Sequence, residues 1–214
     1  MPAPTENPPP AIRFRPVPPA VVGILGGIAA GKSAVAAAFA AHGLVHLDAD
    51  RIAREVTAQP DVVAAIGRAL GAEVLAADGS LDRAKVAARV FQDPEARREL
   101  EALTHPPVRR AILDALAAAK TNGDSVLLDV PLLLERGLIE ECDAVAFVHA
   151  SDTTRRARAA GRGWAADELD RRERAQASLA EKRARADVTI DNDGSLDAMR
   201  RQVAEFLQRW SPRG

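Results

Sequence analysis

A glycine-rich segment at residues 26–33 constrains the fold of this chain more than any other feature. It reads Gly26-Gly27-Ile28-Ala29-Ala30-Gly31-Lys32-Ser33, which matches the phosphate-binding pattern G-x-x-x-x-G-K-[S/T]. The apolar residues 21–25 before it predict a buried strand, and residues 32–42 after it predict an alanine-rich helix with Gly43 at its end. A strand, a glycine-rich turn and a helix N-terminus direct several backbone N–H groups at one point, which binds phosphate. A chance glycine-rich turn is the alternative.

Two side chains give this segment its expected chemistry. Lys32 would place a positive charge on the β- and γ-phosphates of a nucleotide, and the hydroxyl of Ser33 would hold Mg²⁺. We therefore predict that residues 26–33 and the following Ala34 bind ATP, that Lys32 takes part in catalysis and that Ser33 is a metal ligand.

Composition excludes several other classes of protein. The formal net charge is −1, so global electrostatics does not favour nucleic acid or an anionic membrane as a partner. Cys142 is the one cysteine, which predicts no disulfide framework and a reducing, cytoplasmic location. No apolar run reaches the roughly 18 residues that a membrane-spanning helix needs. The proline-rich residues 1–20 are expected to be a disordered tail.

Strand and helix patterns alternate along most of the chain. Further strands are predicted at 45–48, 126–129, 144–149 and 188–191. Such alternation implies a parallel α/β sheet. Residues 61–119 are helical in pattern throughout, which indicates an insertion between the second and third strands. Within it, Pro106 and Pro107 are expected to break the helix.

Two helices are predicted near the C-terminus. Residues 167–182 form one charged helical stretch. The last helix carries an apolar stripe, made of Leu196, Met199, Val203, Phe206 and Leu207.

Two carboxylates, Asp48 and Asp50, lie at the end of the second predicted strand. Ligands of parallel sheets bind beyond the carboxyl ends of the strands, and a kinase needs a carboxylate that orients the attacking hydroxyl and takes its proton. Asp50 is equally well placed to cap the helix that starts at Arg51. Spacing alone leaves both interpretations open.

A third carboxylate and a basic segment complete the candidate residues. Asp129 ends an apolar strand, which in a P-loop protein predicts a contact to Mg²⁺; a turn is the alternative. Residues 155–185 contain ten Lys and Arg against five Asp and Glu. Most of these arginines fit a solvated helix, but Arg158 and Arg162 lie one helical turn apart. We predict that Arg158 contacts the transferring phosphoryl group, because guanidinium matches phosphate geometry.

Several segments, taken in order, resemble the dephospho-CoA kinase family over nearly all of residues 21–207. The P-loop alone is shared with many activities, and the order of the other segments is far more specific. They are Asp48-Ala49-Asp50-Arg51-Ile52-Ala53-Arg54, Val90-Phe91-Gln92-Asp93-Pro94, His105-Pro106, Asp129-Val130-Pro131-Leu132-Leu133-Leu134-Glu135 and Ile190-Asp191-Asn192-Asp193-Gly194.

The resemblance implies a three-layer α/β/α fold of the nucleoside-monophosphate-kinase type, with a five-stranded parallel sheet, a helical substrate lobe and a lid. The core would comprise residues 21–57, 120–157 and 186–214, the CoA-binding lobe residues 58–119, and the lid residues 158–185. The implied reaction transfers the γ-phosphoryl group of ATP to the ribose 3′-hydroxyl of dephospho-CoA, with Mg²⁺.

The resemblance also implies roles for individual residues. Asp50 is the expected catalytic base, and Asn192 is expected on the adenine side of the ATP site. Dephospho-CoA would be contacted by Asp50, Arg54 and His105.

The chain departs from the family at several positions. Gly-Ser is usual where this chain has Ala29-Ala30, and alanine narrows the allowed backbone angles. The usual Arg-Asp pair of the lid is Arg162-Gly163 here. These changes concern rate and lid closure more than reaction type.

Two other functions stay open from the sequence: another small-molecule kinase of this fold, and a non-catalytic nucleotide-binding protein. A GTPase is disfavoured, because no Asn-Lys-x-Asp segment occurs.

Overall fold

The computed structural model describes residues 19–165 and 167–210. The tail predicted for residues 1–20 lies almost wholly outside them. No helix in the described ranges is both long and apolar enough to cross a membrane.

A five-stranded parallel sheet forms the centre of a three-layer α/β fold. Its order is β2-β3-β1-β4-β5, so the strand that leads into the P-loop is in the middle. Val22 of β1 pairs with Leu127 of β3 on one side and with Ala144 of β4 on the other. All five predicted strands are present: β1 Val21–Gly26, β2 Val45–Asp48, β3 Val126–Asp129, β4 Ala144–His149 and β5 Val188–Asp191.

The described residues form nine α-helices and two 3₁₀ turns, Ala72–Val74 and Leu138–Glu141. The helices are α1 Lys32–Ala41, α2 Ala49–Val56, α3 Pro60–Leu70, α4 Arg83–Gln92, α5 Pro94–Thr121, α6 Asp152–Ala160, α7 Glu168–Glu173, α8 Leu179–Ala184 and α9 Leu196–Arg209.

Two predictions about helix continuity are wrong. Helix α5 runs through Pro106 and Pro107, because the φ of proline suits a helix and only two backbone N–H donors are lost from 28 residues. The stretch predicted as one helix over 167–182 is two helices. It is interrupted because Ser178 and Glu181 form a capping box that starts α8.

The chain divides into two compact units. One contains the residues up to His46 and those from Ala119 onward, and the other is Leu47–Ala118. The second unit begins before the predicted lobe, residues 58–119, and consists mainly of α2 to α5. Helix α4 contributes no buried residue.

The core of the first unit packs α1 and α9 with the sheet. Val35 and Phe39 of α1 and Met199 and Val203 of α9 are buried in one cluster. Leu207 is buried as predicted. Phe206 is partly buried and packs edge-on against Phe39. Leu196 is an exception to the predicted stripe, with 54% of its surface exposed, because it is the first residue of the helix.

Cys142 is a free thiol beside β1. Burial, and then the negative charges of Asp143, Glu141 and Glu140, raise its pKa to about 12. Such a thiol stays protonated at neutral pH and is a poor nucleophile.

Candidate active site

The glycine-rich segment between β1 and α1 contains a hydrogen-bonded turn. The Ala30 N–H donates to the Gly27 carbonyl at 3.1 Å. Helix α1 starts at Lys32, with Gly31 as its N-cap residue in the left-handed conformation (φ 90°). No side chain within the described ranges caps this helix end. The backbone N–H groups at the N-terminus of α1 thus point into the glycine-rich turn, which suits binding of an anion.

Ala29 carries the backbone strain that its sequence position predicts. Its φ is 59°, and it is the one described non-glycine residue with a positive φ. A left-handed conformation costs an L-residue roughly 1–2 kcal/mol. The strain lies in the turn itself, where only the backbone is needed to contact a phosphate.

Arg158 and Asn192 hold the turn from outside. The guanidinium of Arg158 donates to the Ala30 carbonyl at 2.9 Å and to the Asn192 carbonyl at 2.8 Å. The buried Asn192 amide donates to the same Ala30 carbonyl at 2.8 Å. A Cβ at Gly31 would overlap that amide, and the positive φ of this residue also favours glycine. Glycine is therefore required here for two independent reasons. The structure therefore brings two predicted site residues, from α6 and from the end of β5, against the P-loop.

Asp193 fixes the segment that carries Asn192. Both of its carboxylate oxygens accept from the Ser151 N–H at 2.9 Å, and Ser151 is the N-cap of α6. This backbone hydrogen bond, followed by a hydrogen bond from Thr154, lowers the pKa of Asp193. Helix α6 and the segment after β5 are thus linked twice: Arg158 donates to the Asn192 carbonyl, and the N-cap residue Ser151 donates to Asp193.

A cavity of about 540 Å³ lies beside the turn. One wall is formed by Gly27 and Ile28 of the P-loop. The other wall comes from α7, α8 and the loop between them, with Asp170, Glu173, Arg174, Gln176, Ala177, Ser178, Leu179, Glu181 and Lys182. A Cβ at Gly27 would lie 3.1 Å from Leu179 and 3.2 Å from Arg155, so the turn and the segment predicted as the lid approach closely here.

Ser33 and Asp129 offer the oxygen ligands that Mg²⁺ prefers. The Ser33 side chain is exposed, and its hydroxyl has no hydrogen-bond partner among the residues described. Asp129 ends β3, and its Oδ2 lies 3.4 Å from His46 Nε2. No cluster of three or more His, Cys, Asp or Glu side chains that could hold a metal occurs in the described ranges. A hydroxyl and one carboxylate still fit Mg²⁺ that arrives with a nucleotide, since phosphates and waters complete its shell.

The helix cap at the end of β2 is Asp48, so the alternative interpretation of Asp50 as the cap is wrong. The Asp48 carboxylate accepts from the N–H groups of Asp50 at 2.8 Å and Arg51 at 3.2 Å. It does so because Asp48 has extended backbone angles (φ −88°, ψ 107°), whereas Asp50 already lies in the first turn of α2.

Asp50 and Arg54 are exposed and lie four residues apart, on one face of α2. Neither side chain makes an ion pair with a residue that the structure describes. His105 is half-buried within α5, directly before its two prolines. These predicted substrate residues all belong to the unit Leu47–Ala118.

Three charged residues beside the P-loop are absent from the sequence-based predictions. Arg155 is 6% exposed and pairs with Glu173 and Asp152. Lys182 is 3% exposed. Glu135, the last residue of the VPLLLE segment, accepts from the Ala177 N–H at 2.8 Å. The VPLLLE segment could have indicated a role for Glu135 from the sequence. Arg155 and Lys182 could not be found in this way, because their burial depends on tertiary packing.

Comparisons with known proteins agree with the sequence motifs. A family model for dephospho-CoA kinase matches residues 20–198. The chain is 45% identical to a dephospho-CoA kinase of Anaeromyxobacter dehalogenans, over 87% of this chain and 90% of the relative. It is 41% identical to one of Deinococcus radiodurans, over 96% of this chain and 98% of the relative.

Solved structures give the same fold. The protein TT1252 of Thermus thermophilus has a TM-score of 0.76 and 34% identity, over 90% of this chain and 98% of that one. A dephospho-CoA kinase of Campylobacter jejuni has a TM-score of 0.69 at 22% identity, over 88% of this chain and 95% of that one.

Proposed function

The chain belongs to the dephospho-CoA kinase family, and we propose that it transfers the γ-phosphoryl group of ATP to the ribose 3′-hydroxyl of dephospho-CoA. The products are CoA and ADP. The structural observation that carries the proposal is the uncapped start of α1 behind the P-loop turn, with Arg158 and Asn192 hydrogen-bonded to that turn. Neither alternative function is supported by the comparisons, in which the relatives named are dephospho-CoA kinases.

The P-loop binds the phosphates in this account. Backbone N–H groups at the start of α1 hold phosphate oxygens, and the Lys32 ammonium offsets the charge that builds on the β- and γ-phosphates. Ser33 and Asp129 would hold Mg²⁺, which when bound neutralises charge on the same phosphates. Asn192 keeps the turn in shape through Ala30 and borders the adenine side.

Asp50 is the group that accepts the proton released by the ribose 3′-hydroxyl. Its carboxylate takes the proton of the 3′-hydroxyl as the hydroxyl oxygen bonds to the γ-phosphorus, and the bond to the ADP oxygen breaks in the same displacement. Arg54, on the same face of α2, and His105 are proposed to contact dephospho-CoA.

The experiment for this function is ADP release from ATP and Mg²⁺, measured with and without dephospho-CoA. We expect release that depends on dephospho-CoA. Adenosine, pantetheine and gluconate as acceptors serve as controls for a kinase of another specificity. Turnover with one of these and not with dephospho-CoA would refute the proposal, and ATP binding without turnover on any acceptor would indicate a non-catalytic protein.

The planar guanidinium group of Arg158 is predicted to be required for normal activity, beyond its positive charge. Arg158→Lys keeps the positive charge, but an ammonium cannot donate to the Ala30 and Asn192 carbonyls in the same geometry. We expect a loss of kcat/KM for ATP of about tenfold or more, the loss of one charge-assisted hydrogen bond. Steady-state kinetics at varied ATP measures it, with the exposed Arg162→Lys as the matched control. Wild-type kinetics in Arg158→Ala would show that the two hydrogen bonds of Arg158 do not affect the use of ATP.

A further inference from the structure

Lys182 is a buried cation at the wall of the cavity beside the P-loop. Its side chain is 3% exposed. Its Nζ donates to the Gln176 Oε1 at 2.7 Å, and the nearest carboxylate oxygen, Glu135 Oε1, is 4.0 Å away. An ammonium has three N–H donors, so two of them have no hydrogen-bond acceptor among the residues described. Burying a charge is costly unless it is paired.

The acidic groups that line the same cavity already have partners. Asp170 pairs with Arg156 at 2.7 Å. Glu173 pairs with Arg155. Glu181 accepts from the Ser178 N–H at 2.8 Å. None of them pairs with Lys182, so its ammonium is the buried charge on this wall that lacks a close counter-ion.

The surroundings of Lys182 favour an anion at this point. Burial lowers the pKa of Lys182, and the positive charge of Lys32 lowers it further. The negative charges of Glu135 and Glu173 act in the opposite direction and raise it. The two lysine ammonium groups repel each other, and an anionic ligand that contacts both would offset that repulsion. The opposite wall of the cavity is Gly27 and Ile28, residues of the P-loop itself.

We propose that Lys182 is a second nucleotide-binding cation, whose ammonium contacts phosphate oxygens of bound ATP from the side opposite the P-loop. Gln176 positions it, because its Oε1 accepts directly from the ammonium; Glu135 accepts instead from the backbone N–H of Ala177. This inference rests on the proposed function only in taking ATP as the ligand.

The test is isothermal titration of ATP with Mg²⁺ into the full chain and three variants. Lys182→Met keeps the length and apolar stem of the side chain without its charge. We expect ATP to bind about 10- to 100-fold more weakly, the loss of one charge-assisted hydrogen bond. Lys182→Arg keeps the charge and should retain most of the affinity. Lys120→Met makes the same change at an exposed lysine and should change nothing.

A fourth variant separates phosphate binding from a structural role. Glu135→Gln keeps an acceptor for the Ala177 N–H and removes the carboxylate that competes for Lys182. ATP should then bind as tightly as in the wild type or more tightly. Equal weakening in Glu135→Gln and Lys182→Met, or unchanged binding in Lys182→Met, would overturn the proposal. So would a Lys182→Arg variant as weak as Lys182→Met.

Failure of this inference differs from failure of the proposed function. The wild-type chain is assayed in parallel for ADP release that depends on dephospho-CoA. If the wild type binds ATP and shows no such turnover, the proposed acceptor is wrong while the Lys182 result still stands. If turnover is present and Lys182→Met binds ATP normally, only the inference about Lys182 is wrong.

Discussion

Asp50→Asn is expected to lower kcat by roughly 10²- to 10⁴-fold, the usual range for loss of a general base. Asparagine keeps the size of the side chain and loses the charge that accepts the proton of the 3′-hydroxyl. ATP binding should persist, because the P-loop lies in the other unit of the chain. A kinase transition state with late proton transfer would give a value at the low end of this range.

Stability should not change in this variant. Asp50 is exposed, and the cap of α2 is Asp48. The melting temperature of Asp50→Asn, measured by circular dichroism, should therefore equal that of the wild type.

Asp48→Asn is the matched control. Asparagine caps a helix nearly as well as aspartate, so this variant should fold and, if Asp50 is the base, turn over well. Normal turnover in Asp50→Asn with loss in Asp48→Asn would identify the other carboxylate as the base. Normal turnover in both would mean that this segment is structural.

Lys32→Ala should reduce kcat by about 10²- to 10³-fold, by analogy with removal of one preorganised electrostatic donor. Lys32 is the first residue of α1, directly after the Gly31 N-cap. Its charge stabilises the transition state more than bound ATP, so the effect on kcat should exceed the effect on KM for ATP. Steady-state kinetics at varied ATP gives both values. Lys120→Ala, at an exposed position, controls for loss of a lysine, and near-normal kcat in Lys32→Ala would refute the P-loop assignment.

The sheet could be predicted because its signals are local. Strands β1, β3 and β4 are short apolar runs, whereas β2 and β5 alternate apolar and polar residues. Both patterns can be read from the sequence. Two helix caps are equally local: the carboxylates of Asp82 and Asp93 each accept from the N–H groups two and three residues ahead.

Helix breaks were harder to predict because opposing effects nearly balance. Pro106 and Pro107 indicated an end, yet α5 continues, and the Thr104 hydroxyl donates to the Leu100 carbonyl at 2.8 Å just before them. The Ser178-x-x-Glu181 pattern matches a capping box and indicates the break that the predicted single helix over 167–182 lacks.

Side-chain roles near the site depended on tertiary contacts. Lys182 lies among charged neighbours in sequence, which is typical of a solvated helix, and the fold buries it beside the P-loop. The pair of His46 with Asp129 joins β2 to the last residue of β3, and these two strands are far apart in the chain. No spacing rule within one segment predicts such a contact.

The most direct measurement of the central claim is phosphorus NMR of the product formed from ATP, Mg²⁺ and dephospho-CoA. We predict one new phosphomonoester signal, coupled to the ribose 3′ proton, in an amount equal to the ADP released. An Asp50→Asn reaction run alongside should show this signal growing far more slowly. A phosphate at another position of dephospho-CoA, or ADP release that leaves dephospho-CoA unmodified, would contradict the account.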